Sequence, residues 1–157
     1  MKITLLAIGK TDQKYLKEGI SVYQKRLRHY INFEIIEIPA LKKVSSMPSD
    51  IIKQKESELI NKYLDKADSI ILLDERGDAF SSDEFAGFLQ KKMNSGISEL
   101  VFIVGGAWGF HESLYKKANH TISLSEMTFS HQMVRLFFTE QIYRAFTILR
   151  GQSYHNE

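Results

Sequence analysis

Residues 101–135 read VFIVGGAWGF, HESLYKKANHTISLS and EMTFSHQMVR, and this stretch decides the fold. The apolar run Leu100–Val104 predicts a buried strand that ends at the glycine-rich loop GGAWG. A short helix and a second small strand, Thr121–Leu124, follow, and a polar loop then leads into the last helix. Loops that leave neighbouring strand ends, one of them rich in glycine, let backbone amides approach a ligand closely. The alternative is that the glycines only form a tight turn between strand and helix.

Strands and helices alternate along the rest of the chain. Apolar runs of the kind found in buried strands occupy Lys2–Ile8, Phe33–Ile38 and Ser69–Leu73. Apolar residues recur at helical spacing in Asp12–Tyr30, Asp50–Leu64 and Ser81–Met93. Asp74–Gly77 is predicted to turn the chain after the third strand. The alternation predicts a single α/β domain over residues 1–157, with helices flanking a mostly parallel five-stranded sheet.

The last helix is predicted over Ser130–Leu149. Its apolar residues fall within a stripe of about 140°, which predicts a core contact by Val134, Phe137, Phe138, Ile142, Ala145, Ile148 and Leu149. An adjoining face mixes aromatic and basic side chains: Arg135, Thr139, Tyr143, Phe146 and Arg150. Such a face is typical of a protein interface, or of an aromatic edge beneath a loop.

The composition is that of an ordinary globular protein of 157 residues, with 43% hydrophobic and 25% charged residues. The chain has no cysteine, which excludes disulfides and thiolate chemistry. The first apolar run, in MKITLLAIGK, is too short for a signal peptide or a membrane span. These features predict a cytoplasmic protein that does not enter a membrane.

The net charge is only +2, but it is unevenly distributed. Residues 1–33 contain seven basic and two acidic side chains, and the last helix adds Arg135, Arg144 and Arg150 against Glu140. Such faces suit a polyanion, although a solvated helix surface gives the same pattern. If the partner is a large RNA, the modest net charge favours an assembled RNA surface, such as a ribosome, over naked RNA.

Several common enzyme classes lack their motifs in this chain. There is no GxxxxGK[ST] loop, no HExxH and no GxSxG, and the glycine loop reads GGxxG and lies late in the chain. The histidines lack metal-ligand spacing, so no metal site is expected. The two loops instead predict a pocket for an adenosine-type ligand, with apolar walls from Leu73, Ile122 and Leu124.

Three segments of the chain resemble the RlmH family: FIVGGAWG, SLSEMTFSHQMVRLFFTEQIYRAF and the terminal SYH. These small bacterial methyltransferases of the SPOUT superfamily modify N3 of a pseudouridine in 23S ribosomal RNA, and the resemblance covers essentially the whole chain. It implies a C-terminal trefoil knot, a homodimer, the cofactor S-adenosylmethionine and the ribosome as partner. It also leaves two alternatives: the same fold acting on another RNA base, or a ribosome-binding protein without catalysis.

The resemblance also implies the site residues. The cofactor contacts fall on Leu73, Gly105 and the loop formed by Leu124, Ser125, Glu126, Met127, Thr128 and Phe129. Tyr154 and His155 match the family's terminal Tyr-His, which reaches the active site in the dimer. The methyl acceptor carries a proton that must leave, and His131 is a second candidate to assist, unless it only makes a structural hydrogen bond. Arg135 and Arg144 are candidates for phosphate or base contact.

The chain differs from the usual family pattern in three places. It ends in Asn156-Glu157, without the basic residue that many relatives carry after the Tyr-His, which argues against a contact between the tail and phosphate. Ser130 stands where many relatives have proline, and as a helix N-cap it is expected to serve the same structural purpose. Trp108 makes the glycine loop bulkier than usual, so it is expected either to pack in the interior or to restrict the cofactor pocket.

Overall fold

The structure, a computed structural model, describes residues 1–156. Its strands are β1 (Lys2–Ile8), β2 (Asn32–Ile38), β3 (Ser69–Ala79), β4 (Glu99–Val104) and β5 (His120–Ser123). Its helices are α1 (Lys14–Leu27), α2 (Ser49–Asn61), α3 (Ser82–Asn94), α4 (Glu112–Lys117) and α5 (His131–Leu149). Short 3-10 turns occur at Val44–Ser46 and Ser153–Asn156.

The five strands form one sheet in the order β2-β1-β4-β3-β5. Each of the four pairings is parallel, so the predicted α/β class and parallel sheet are confirmed. All strands therefore end at the same edge, the carboxyl edge of the sheet, and the loops that follow them lie side by side there. The trefoil knot stays a prediction, because strand order and pairing do not describe how the chain threads.

Apolar side chains bury both faces of the sheet, as expected for parallel strands. One face packs against α1, α3 and α5, through residues such as Leu27, Phe85 and Phe138. The other face packs against α2 and α4, through Ile60 and Leu114. No helix within residues 1–156 combines the length and the apolarity needed to cross a membrane.

Strand β3 is longer than predicted, and the expected turn at Asp74–Gly77 is wrong. The strand continues to Ala79, with a register shift between Leu73 and Asp78 in its pairing with β5. Gly77 makes this possible because its backbone lies directly against β5. A Cβ at this position would come within 2.6 Å of the backbone of Thr121 and Ile122. Asp74–Gly77 therefore has the residue composition of a turn but forms an irregularity within a paired strand.

The predicted faces of α5 are partly wrong as well. Phe137, assigned to the core, is 40% exposed, whereas Arg135, Thr139 and Phe146 from the supposed interface face are buried. The Thr139 hydroxyl donates a hydrogen bond of 2.6 Å to the main-chain oxygen of Arg135, so its burial leaves no polar group unsatisfied. Helix α5 lies between α1 and α3, and this wide contact covers more of its circumference than the apolar stripe indicates.

Candidate active site

A cleft of about 580 Å³ opens at the carboxyl edge, where β3, β4 and β5 end. Its volume lies in the range of small-molecule sites. Its walls are Leu73–Arg76 of β3, Val104–Phe110 after β4, Leu124–Ser130 apart from Glu126, and His131 and Val134 of α5. The two loops singled out in the sequence thus meet in one cavity. Ile122, also expected in the wall, is buried in the core behind it.

The glycine loop contains a tight turn. The Gly109 N–H donates to the Gly106 oxygen at 3.2 Å, and Gly109 has φ +77°, a conformation that favours glycine. Gly105 lies over the buried ring of Phe110, where a Cβ would come within 3.3 Å of the ring. The loop is therefore supported from below, and its backbone faces the cleft without side chains at Gly105 and Gly106.

Glu56 of α2 lies beneath this loop and was not predicted from the sequence. Only 9% of the residue is exposed, and burial raises the pKa of its carboxyl above the ordinary value. A Cβ on Gly106 would come within 2.6 Å of Glu56 Oε2. Glycine at this position thus leaves room for a buried acid directly behind the cleft wall.

A second unpredicted feature is a hydrogen-bonded group at the end of β3. Asp74 accepts hydrogen bonds from the Tyr115 hydroxyl and from the backbone N–H of Arg76, at 2.9 Å for the latter. The Arg76 guanidinium donates to the Tyr115 oxygen at 2.8 Å. Burial alone would raise the pKa of Asp74, but these hydrogen bonds outweigh it and hold that pKa below its ordinary value. Burial and the Asp74 bond raise the pKa of Tyr115 to about 12.

The polar loop after β5 is shaped by its own hydroxyl groups. The Met127 N–H donates to Ser125 Oγ at 2.9 Å, and the Thr128 hydroxyl donates to Glu75 Oε2 at 3.0 Å. Ser130 then caps α5, since its Oγ accepts from the Met133 N–H at 3.2 Å, as predicted for the N-cap. These bonds fix the path of the loop along the cleft.

Seven of the eight expected cofactor contacts line the cleft: Leu73, Gly105, Leu124, Ser125, Met127, Thr128 and Phe129. Glu126 belongs to the same loop but is exposed and lies outside the lining. His131 lies on the rim, at the first turn of α5. Desolvation at the start of α5, reinforced by the positive charge of Arg135, lowers the pKa of His131, which favours the neutral imidazole at pH 7.

Arg135 is fully buried and has its donors directed to the protein itself. Its Nη2 donates to the Ile8 oxygen at 2.7 Å, and its Nη1 donates to the Gly9 oxygen and to Thr11 Oγ1, both at 2.9 Å. This arrangement joins the start of α5 to the end of β1. It favours a structural role for Arg135 over the contact with RNA phosphate that the sequence suggested.

Tyr154 and His155 lie outside the cleft lining, beside the carboxyl-terminal half of α5. The Tyr154 hydroxyl donates to Glu140 Oε1 at 3.0 Å and lies 3.2 Å from the Tyr23 hydroxyl. Arg144 forms an ion pair of 2.8 Å with Glu140 and reaches the main-chain oxygen of His155 at 3.4 Å. From His131 to Arg144 the helix rises about 20 Å, at about 1.5 Å per residue. Within one chain the tail and the cleft are therefore separate.

Comparison with known proteins identifies the family of this chain. The sequence profile described as "Predicted SPOUT methyltransferase" matches residues 1–155. The chain belongs to the SPOUT methyltransferase family. Two relatives, both named Ribosomal RNA large subunit methyltransferase H, are similar over the full length. The one from Flavobacterium johnsoniae is 55% identical over 157 residues, covering 100% of both chains. The one from Christiangramia forsetii is 53% identical over 156 residues, covering 99% of both.

Solved structures share the fold of this chain at low sequence identity. A probable methyltransferase from Bordetella pertussis Tohama I superposes with a TM-score of 0.59 at 7% identity, over 92% of this chain and 94% of that one. A probable methylase family protein from Haemophilus influenzae superposes with a TM-score of 0.51 at 10% identity, over 95% of this chain and 66% of that one.

SPOUT methyltransferases use S-adenosylmethionine, and the cleft fits this cofactor. Leu73, Leu124 and Phe129 supply apolar surface for a nucleoside, and the glycine loop supplies backbone groups for hydrogen bonding. On the β3 side Asp74 forms an ion pair with Arg76 at 3.3 Å, and the carboxylate of Glu75 leaves this wall with a net charge of −1, which favours a positively charged ligand. Within residues 1–156, no group of three or more His, Asp or Glu side chains is placed to bind a metal ion.

Proposed function

We propose that this protein methylates N3 of a pseudouridine in 23S ribosomal RNA and acts on the assembled ribosome. The observation that carries the proposal is the full-length similarity, at 53–55% identity, to proteins named Ribosomal RNA large subunit methyltransferase H. The choice of pseudouridine N3 follows from the resemblance of the C-terminal motifs and the terminal Tyr-His to the RlmH family.

In this proposal Leu73, Gly105 and the loop from Leu124 to Phe129 hold the cofactor. When bound, S-adenosylmethionine supplies a methyl group that its sulfonium has already activated. The chain therefore has mainly to align the acceptor nitrogen with that methyl group, and rigid loops are suited to this. The hydrogen bonds at Ser125 and Thr128 provide such rigidity.

The acceptor nitrogen carries a proton, and in this proposal His131 receives it. Its lowered pKa favours the neutral imidazole, which lies on the cleft rim and makes no hydrogen bond to the part of the chain that the structure describes. Tyr154 is less suited, because burial and its bonds to Tyr23 and Glu140 raise its pKa above the ordinary value. In this proposal Tyr154 orders the tail, and His155 contacts the RNA or the reacting base.

A homodimer brings the tail to the cleft. One chain keeps Tyr154 and His155 about 20 Å along α5 from its own His131, at about 1.5 Å per residue. In this proposal a two-fold axis lies beside α5, the tail of one protomer contacts the cleft of its partner, and the contact is made twice.

Methyl transfer to ribosomes tests the chemistry. Ribosomes from a strain that lacks this modification are incubated with radiolabelled S-adenosylmethionine and the wild-type protein, His131→Ala or His155→Ala. We expect label at a single pseudouridine with the wild-type protein and a loss of rate with both variants. Label at another nucleotide would favour another RNA base as acceptor. Cofactor binding by calorimetry without any label would favour a non-catalytic ribosome-binding protein, and equal rates on naked rRNA would contradict the requirement for a ribosome.

Subunit mixing tests the shared site. Thr128→Trp fills the cleft at an exposed lining position, and His155→Ala removes the tail imidazole. Each homodimer is expected to be inactive. After unfolding and refolding together in equal amounts, half of the dimers are mixed and each has one intact site, so roughly a quarter of the wild-type activity returns. No recovery would mean that each chain uses its own tail.

A further inference from the structure

Trp108 stands at the tip of the glycine turn, with 59% of its surface exposed. The turn is closed by the hydrogen bond between the Gly109 N–H and the Gly106 oxygen, so the indole is held by a short, ordered segment. Among the described residues the indole pairs with no other aromatic ring and forms no hydrogen bond. The exposure contradicts interior packing, and Trp108 lines the cleft together with the rest of the glycine loop.

A base that is to be methylated in a folded RNA must leave its stack. Extruding a base removes the stacking energy with its neighbours, and enzymes that modify bases recover part of it with aromatic side chains in their own sites. A stacked base keeps its edge free, and the N3 acceptor lies on that edge. An exposed indole beside the methyl-donor cleft is therefore chemically matched to an unstacked base.

The charge around the cleft indicates the side from which RNA approaches. The connections after β1 and β2 carry exposed lysines at the carboxyl edge: Lys10, Lys14, Lys42 and Lys43. Strands β1 and β2 lie about 5 and 10 Å from β4, the strand that leads into the Trp108 turn, at roughly 4.8 Å per strand. On the other side of the cleft, Glu75, Arg76 and Glu126 are exposed, with a net charge of −1. Phosphates therefore find cations on the β1 side, and the turn that carries Trp108 follows β4, the strand between β1 and β3.

We propose that Trp108 is a stacking platform for an unstacked base of the RNA substrate at the mouth of the cofactor cleft. This inference rests on the proposed function, because it requires RNA as the substrate. It assigns a positioning role to a residue that the cofactor contacts and the terminal Tyr-His do not explain.

The test compares Trp108→Ala, which removes the platform, with Trp108→Phe, which keeps an aromatic face. Stacking of one base contributes about 1–3 kcal/mol, so kcat/KM for ribosomes is expected to fall about 5- to 150-fold with Trp108→Ala. Trp108→Phe is expected to stay within about threefold of wild type, and cofactor affinity by calorimetry to be unchanged in both. Tyr63→Ala removes an exposed aromatic side chain just after the end of α2. It serves as the matched control, and its kinetics are expected to be unchanged.

Several outcomes overturn the inference. A weaker affinity for S-adenosylmethionine in Trp108→Ala would make Trp108 a wall of the cofactor site. Because Trp108 is the only tryptophan, a change in wild-type fluorescence on adding cofactor alone would indicate the same. Dissociation of the Trp108→Ala variant in sedimentation would make it an interface residue, and unchanged kinetics would leave it without a role. Wild-type protein that labels no RNA would instead contradict the proposed function itself.

Discussion

Replacing Arg135 by methionine removes the guanidinium that joins α5 to the end of β1 and keeps most of the apolar stem. Three hydrogen bonds of 2.7–2.9 Å disappear, and the buried oxygens of Ile8 and Gly9 lose this donor. The contact from Nη1 to Glu37, at 3.5 Å, is lost as well.

The expected destabilisation follows from these contacts. A hydrogen bond from a charged donor contributes about 1.5–3 kcal/mol, which gives an upper limit of about 9 kcal/mol for three. The substitution also removes a buried cation, and relief of its desolvation offsets part of the loss. We therefore expect the free energy of unfolding to fall by about 3–5 kcal/mol, the range typical when one partner of a buried charged network is removed.

Urea unfolding at a fixed protein concentration measures this difference, since the stability of a dimer depends on concentration. With an m-value of about 2 kcal/mol per molar urea, the midpoint is expected to fall by about 1.5–2.5 M. Arg28→Met, at an exposed position, is the control and is expected to change stability by less than about 0.5 kcal/mol. A midpoint shift below about 0.5 M in Arg135→Met, together with lost ribosome binding, would refute the structural role and favour a phosphate contact.

Three further substitutions test other features. Gly77→Ala places a Cβ 2.6 Å from the backbone at Ile122 and is expected to destabilise the protein by about 1–3 kcal/mol or more. The control Gly87→Ala has open space around it and is expected to be neutral or to stabilise the protein by up to about 1 kcal/mol. Equal melting temperatures of the two variants would contradict this expectation. At pH values above the elevated pKa of Glu56, Glu56→Gln is expected to raise stability, because the wild-type protein must bury a charge there. The gain is expected to vanish at pH values below 4.5, the ordinary pKa of the carboxyl. A pH-independent difference between the urea midpoints would contradict this expectation. Asp74→Asn is expected to lower stability at neutral pH and to lose its effect as the pH falls through the depressed pKa of Asp74. The reason is that the carboxylate contributes fully to stability only above 3.8, its pKa in the unfolded chain. Parallel acid-unfolding curves of the variant and the wild type would show that the hydrogen bonds to Asp74 contribute nothing.

The features that local sequence determines were predicted correctly. The strands of a parallel sheet are buried on both faces and appear as continuous apolar runs, so Lys2–Ile8 and Leu100–Val104 were recognised directly. The cleft was also predictable, because parallel strands carry their following loops to one edge and two unusual loops were visible in the chain.

The features that depend on distant partners were not predicted. Asp74–Gly77 has the composition of a turn, and only its pairing with β5, more than forty residues later, keeps it in a strand. Arg135 falls on a mixed face of α5. Helical periodicity does not show that the main-chain oxygens of Ile8 and Gly9 accept its hydrogen bonds. The bond between Tyr115 and Asp74 likewise joins separate elements.

The interior position of β1 has a consequence for how the chain matures after translation begins. The first strand to leave the ribosome pairs with β2 on one side, but its other neighbour is β4, at Glu99–Val104. Its carboxyl end acquires the Arg135 guanidinium still later. The edge of β1 that pairs with β4 therefore stays unpaired until synthesis has reached Val104, about two thirds of the way along these 157 residues. Folding is expected to be slow and largely complete only after release, with the nascent chain dependent on chaperones during that interval.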